Sequence, residues 1–129
     1  MTQTARWARA DKKKPITPTG RPASSTDNST WSRYRDVQQG AGDGYGVMLG
    51  GGLGCYDLDH CIDDGVVASW AVEFIGEIPE EIVFMERSVS GTGIHVFVEA
   101  DETPGYRRGK VERYSRGRFI RVTGVRLEV

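Results

Sequence analysis

Glycine divides this chain into short runs. Seventeen of its 129 residues are glycine, and a residue without a Cβ marks turns and close backbone approaches. Strand-like runs lie at 44–49, 55–59, 82–87, 93–99, 110–114 and 118–123. Residues 2–9 read as a first strand anchored on Trp7, and 11–20 and 23–28 as turn-rich loops. Helical spacing is clearest at 66–78, where Val67, Trp70, Ala71, Phe74, Ile75 and Ile78 recur before Pro79 ends the run. A shorter helix is expected from Ser29 or Thr30 to about Gln39, with Trp31, Tyr34 and Val37 on one side. Two hairpins are expected, 44–49 with 55–59 around Gly50-Gly51-Gly52, and 110–114 with 118–123 around Ser115-Arg116-Gly117. Strands outnumber helices, so the fold class is α+β with a largely antiparallel sheet, in one domain.

The net charge of −1 hides an asymmetry. Residues 1–40 carry +5, residues 41–104 carry −12, and residues 105–129 carry +6. This pattern suits a chain that grips phosphates with its ends and cations with its middle, although solvated faces give the same counts. No stretch is long or apolar enough for a membrane span, and residues 1–10 lack the apolar core of a signal peptide. A cytoplasmic protein with no membrane partner is the expectation. Cys55 and Cys61 are read as reduced thiols. Together with His60 and His95 they have no finger or ribbon spacing for zinc.

Asp57-Leu58-Asp59 is the first group with chemistry. On a strand, side chains two apart share a face, so both carboxylates meet at one place while Leu58 packs inward. Such a pair repels itself, and a hard cation such as Mg²⁺ or Mn²⁺ relieves the repulsion. Two solvated acids at a strand end are the plainer alternative. The second group runs from Ser88 to His95, with Ser90, Gly91 and Gly93 in a tight turn that can aim N–H groups and hydroxyls at a phosphate. Taken alone, those residues are better explained by a simple tight hairpin turn with His95 as a structural residue. In the third group, Glu112 can add a carboxylate, and Arg118 can meet a triphosphate or a template backbone. A hairpin with cross-strand charge pairs is the alternative.

Taken in order, these segments resemble the primase–polymerase domain of phage and plasmid replication proteins, within the archaeo-eukaryotic primase superfamily. The matching text is Lys14-Pro15-Ile16, Ala23-Ser24-Ser25-Thr26-Asp27, Ser29-Thr30-Trp31-Ser32 and Tyr56-Asp57-Leu58-Asp59-His60-Cys61-Ile62-Asp63. It continues through Ser90-Gly91-Thr92-Gly93-Ile94-His95-Val96-Phe97, Val111-Glu112-Arg113-Tyr114 and Gly117-Arg118-Phe119-Ile120-Arg121-Val122-Thr123-Gly124. The resemblance spans nearly the whole chain. It implies a catalytic core similar to an RNA-recognition motif (41–129) beside a small, basic N-terminal α/β unit (1–40). It implies two Mg²⁺ or Mn²⁺ ions on Asp57, Asp59 and Glu112, and nucleotide phosphates on Ser90, Gly91, Gly93, His95 and Arg118. Lys12, Lys13, Lys14, Arg107, Arg108 and Lys110 become candidate nucleic-acid contacts. The expected partners are a DNA template, nucleoside triphosphates and a helicase or helical-bundle subunit. The expected activity is template-directed nucleotidyl transfer. The alternative is a non-enzymatic module that binds DNA or nucleotides.

Overall fold

The computed structural model describes all 129 residues. It is an α+β fold of two antiparallel sheets and one α-helix. The first sheet joins β1 (Trp7–Asp11), β2 (Lys14–Ile16), β3 (Gly44–Met48) and β11 (Phe119–Val122) in the order β11-β3-β1-β2. The second joins β4 (Leu53–Leu58), β7 (Ile82–Arg87), β8 (Ile94–Glu99), β9 (Tyr106–Arg108) and β10 (Val111–Tyr114) in the order β7-β8-β4-β10-β9. A two-residue pair, β5 (Ile62–Asp63) with β6 (Val66–Val67), leads into α1 (Ser69–Glu77).

Alternation along the strands of the second sheet divides its two faces between two cores. Tyr56, Leu58, Ile94, Val96 and Val98 meet Ala71 and Ile75 of α1. Each such buried aliphatic contributes about 1.5–3 kcal/mol. Leu53, Cys55 and Phe97 point the other way and pack against Trp7, Val47, Ile120 and Val122 of the first sheet. The molecule is therefore layered as helix, sheet, sheet. The Asp57 side of β4 faces the junction of the two sheets.

Neither expected hairpin around Gly50–Gly52 or Ser115–Gly117 forms. β3 pairs with β1 and β11, while β4 pairs with β8 and β10. At each of these turns the chain crosses from one sheet to the other. Gly50, Gly51 and Gly52 have φ of 129°, 60° and 103°, a succession that side chains with a Cβ resist. The hairpins that do form include β1–β2 around Lys12-Lys13, β7–β8 around the 88–93 turn, and β9–β10 around Gly109. The Asp63-Asp64-Gly65 turn also appears as expected. Asp64 and Gly65 have φ of 51° and 77°, as a two-residue hairpin turn requires.

Three further boundaries differ from the sequence reading. The helix starts at Ser69, because Val66 and Val67 pair with Ile62 and Asp63 instead. The helix expected from 29 to 39 is absent. Two 3-10 turns, Asn28–Thr30 and Tyr34–Val37, stand there, so the N-terminal part holds no α-helix. The interruption has a tertiary cause, since Ser32 exchanges both backbone hydrogen bonds with Trp7 and is drawn into extended pairing. The first strand begins only at Trp7, which is 1% exposed.

Candidate metal centre

One row of side chains crosses all five strands of the second sheet. Register places Glu86 of β7 opposite His95 of β8, His95 opposite Asp57 of β4, Asp57 opposite Glu112 of β10, and Glu112 opposite Arg107 of β9. Directly opposite residues share a face of the sheet, so strand pairing alone assembles a line of ionisable side chains in which two acids, Asp57 and Glu112, stand next to each other between His95 and Arg107. Asp59 lies just beyond the end of β4, where its backbone N–H donates to the Lys110 carbonyl at 2.8 Å.

Carboxylate oxygens of Asp57, Asp59 and Glu112 lie within 4.8 Å of one another. Two oxygens on one Mg²⁺ are at most about 4.2 Å apart, given ligand distances of about 2.1 Å. Small side-chain adjustments close that gap. An all-oxygen, triply acidic donor set suits a hard divalent cation such as Mg²⁺ or Mn²⁺. Burial pushes the Asp57 carboxyl above the ordinary aspartate range. His95 draws it back, Asp59 and Glu112 raise it further, and Arg118 lowers it. A cation bound among the three acids would replace this mutual repulsion with attraction.

The surroundings fix the carboxylates to different degrees. Tyr114 donates its hydroxyl to Glu112 at 2.7 Å. That bond, ahead of partial burial, raises the tyrosine's own pKa. The Arg118 guanidinium stacks over the Tyr114 ring at 3.9 Å. Arg107 stands 3.9 Å from Asp59 with its side chain 65% exposed, so this is a loose ion pair. His95 is held at Nδ1 by Glu86 at 2.9 Å, and its Nε2 lies 3.9 Å from Asp57.

The remaining candidate residues spread outward from this row. Ser88, Ser90 and Thr92 form a chain of hydroxyl contacts of 3.1 and 3.0 Å on the 88–93 loop. The Thr92 carbonyl accepts from the N–H groups of Cys61 and Ile62, which ties the loop with Ser90, Gly91 and Gly93 beside the segment that follows Asp59. Lys110 turns away, its ammonium 5.8 Å from the Trp70 ring. Arg108 stacks on Tyr106 at 4.2 Å, on the sheet face opposite Arg107. Lys12, Lys13 and Lys14 sit at the β1–β2 turn of the other sheet and join none of these contacts. Cys55 and Cys61 are both buried and free, and burial raises both thiols' pKa.

Sequence reasoning passed over Glu86 and gave Tyr114 no role. Glu86 is completely buried. The available signal was its place in the β7–β8 hairpin, where antiparallel register sets it opposite His95. No helix is long and apolar enough to cross a membrane. No family model matches the chain, and comparison with curated proteins gives no match.

Proposed function

We propose that this chain is a metal-dependent nucleotidyltransferase of the primase–polymerase type, acting in the cytoplasm on a nucleic-acid template in phage or plasmid replication. The observation that carries this reading is the convergence of Asp57, Asp59 and Glu112, in a row with His95. Three further features support it. A hydroxyl- and glycine-rich loop lies beside the row, Arg118 is stacked near Glu112, and basic residues flank an acidic middle.

Asp57, Asp59 and Glu112 would hold two Mg²⁺ or Mn²⁺ ions. Such ions favour ionisation of an attacking hydroxyl and neutralise charge on a departing pyrophosphate. In the reaction a primer 3′-oxygen bonds to the α-phosphorus of a nucleoside triphosphate, the bond to the β-phosphate oxygen breaks, and pyrophosphate leaves. His95, Ser90 and the backbone of Gly91 and Gly93 bind and orient the triphosphate. Arg118 adds a cation held in place by Tyr114. Arg107 exchanges its loose pairing with Asp59 for a nucleic-acid phosphate. Arg108, Lys110 and the three lysines at the β1–β2 turn supply backbone contacts that position the template without reading its sequence. A helicase or helical-bundle subunit is the partner class that the resemblance implies.

The test is pyrophosphate release from nucleoside triphosphates on primed DNA with Mg²⁺ or Mn²⁺. Wild type should release pyrophosphate, and Asp57→Asn and Glu112→Gln should not. Release that persists in both variants would remove the triad from the chemistry.

A further inference from the structure

We infer that Glu86 is a positioning residue: it fixes His95 with Nδ1–H directed away from the site, so that the Nε2 edge faces the carboxylates and any phosphate they help to bind. The inference deepens the nucleotidyltransferase reading and rests on it for the identity of the phosphate.

The geometry is specific. Glu86 is fully buried and His95 is 7% exposed, and both sit in the row that leads to Asp57. A buried carboxylate is costly unless its lone pairs are satisfied. Those of Glu86 are filled by His95 Nδ1 at 2.9 Å, Thr123 N at 3.1 Å and Gly124 N at 3.0 Å. An acceptor-only carboxylate requires the proton on the nitrogen that faces it. It therefore holds a proton on Nδ1 and fixes the ring's rotation about χ2, which leaves the Nε2 edge 3.9 Å from Asp57; Nε2 donates to a phosphate oxygen only when it carries the second proton of an imidazolium.

Phe84, two residues earlier on the same face, packs against the core between the sheets. The glutamate at 86 does two things that an apolar side chain there would not: it accepts the backbone N–H groups of Thr123 and Gly124, and it fixes the imidazole of His95. Its two backbone donors follow β11, on the same stretch of chain that carries Glu112, Tyr114 and Arg118. One segment thus supplies the third carboxylate at one end of the row and secures the histidine's support at the other.

Two measurements test this. The first uses the ligand-free protein. Long-range ¹H–¹⁵N NMR should show a protonated, hydrogen-bonded Nδ1 on His95, and that proton signal should be lost in the isosteric Glu86→Gln, where the Thr123 and Gly124 N–H groups hold the amide oxygen and turn its NH₂ toward Nδ1. A wild-type ring with bare Nδ1, or a signal unchanged in Glu86→Gln, overturns the inference whatever the protein's activity. The second is kinetic. Glu86→Gln should raise KM for the nucleoside triphosphate about tenfold, by analogy with the loss of partners that orient metal-ligating histidines, with a smaller change in kcat. The double variant Glu86→Gln/His95→Ala should be no worse than His95→Ala alone. Independent, additive losses would mean that Glu86 does not act through His95. If wild type turns over no nucleotide, the nucleotidyltransferase reading fails, and the NMR result alone decides the role of Glu86.

Discussion

Replacing Asp57 by Asn should make the metal-free protein more stable and abolish its response to Mg²⁺. The magnitude follows from the triad. Carboxylate oxygens within 4.8 Å repel by about 0.9 kcal/mol in water and about 3.5 kcal/mol at an effective dielectric of about 20. The Asp57 and Asp59 side chains are 26% and 34% exposed, which places each pair nearer the lower figure, at about 1–2 kcal/mol. Asp57 faces two such neighbours, but its loss also removes the attraction to His95 and Arg118. The net gain is about 1 kcal/mol, or roughly 3–6 °C in Tm for a domain of this size. Divalent ion at ten times its Kd stabilises wild type by about 1.4 kcal/mol through linkage. Thermal melts followed by circular dichroism, in EDTA and across a Mg²⁺ series, should therefore cross. Asp57→Asn should melt higher without metal, and wild type should gain on it as Mg²⁺ rises. A variant that melts lower in EDTA, or that rises with Mg²⁺ as much as wild type does, would refute the electrostatic reasoning.

Two further outcomes test the scaffold. Partial burial raises the Glu80 carboxyl, but hydrogen bonds from Arg113 and Tyr56 outweigh it and leave its pKa below the ordinary glutamate value. Its contribution is then present above the unfolded value of about 4.3 and lost as pH falls through the lower folded value. Glu80→Gln should cost about 2 kcal/mol at neutral pH, and urea titrations should show that gap narrowing at pH about 3. Arg9 donates to the carbonyls of Val37, Gly40 and Ala41 at 3.1, 3.2 and 2.8 Å. Arg9→Met should cost about 3 kcal/mol and speed amide exchange across residues 37–42, and an unchanged urea midpoint would show that these bonds carry no net stability.

The site was more legible in the sequence than the path of the chain. Asp57 and Asp59 could be paired from strand periodicity alone, since residues two apart share a face. Glu112 was a candidate third carboxylate whose nearness to that pair no local pattern gives, and register explains its place: β10 lies beside β4 with Glu112 opposite Asp57. The two failed hairpins share one cause. Gly50-Gly51-Gly52 and Ser115-Arg116-Gly117 have the composition of hairpin turns, but local composition does not say which sheet receives the returning strand. At both turns the partner is far away in sequence, as with β3 against β1 and β11. The missing 29–39 helix yielded to tertiary pairing of Ser32 with Trp7, which no local propensity encodes. Glu86 escaped notice because one acid in an apolar strand carries no pattern. Its meaning comes from the histidine opposite and from two N–H groups more than 35 residues away along the chain.

The most direct test of nucleotidyl transfer is extension of a labelled DNA primer on a longer template. The reaction would contain nucleoside triphosphates and Mg²⁺ or Mn²⁺, with wild type run beside Asp59→Ala. Metal-dependent lengthening by wild type, absent in Asp59→Ala, is the expected result. No lengthening by wild type, with equally tight binding of the primed DNA by both proteins, would contradict it and leave a nucleic-acid-binding module in place of an enzyme.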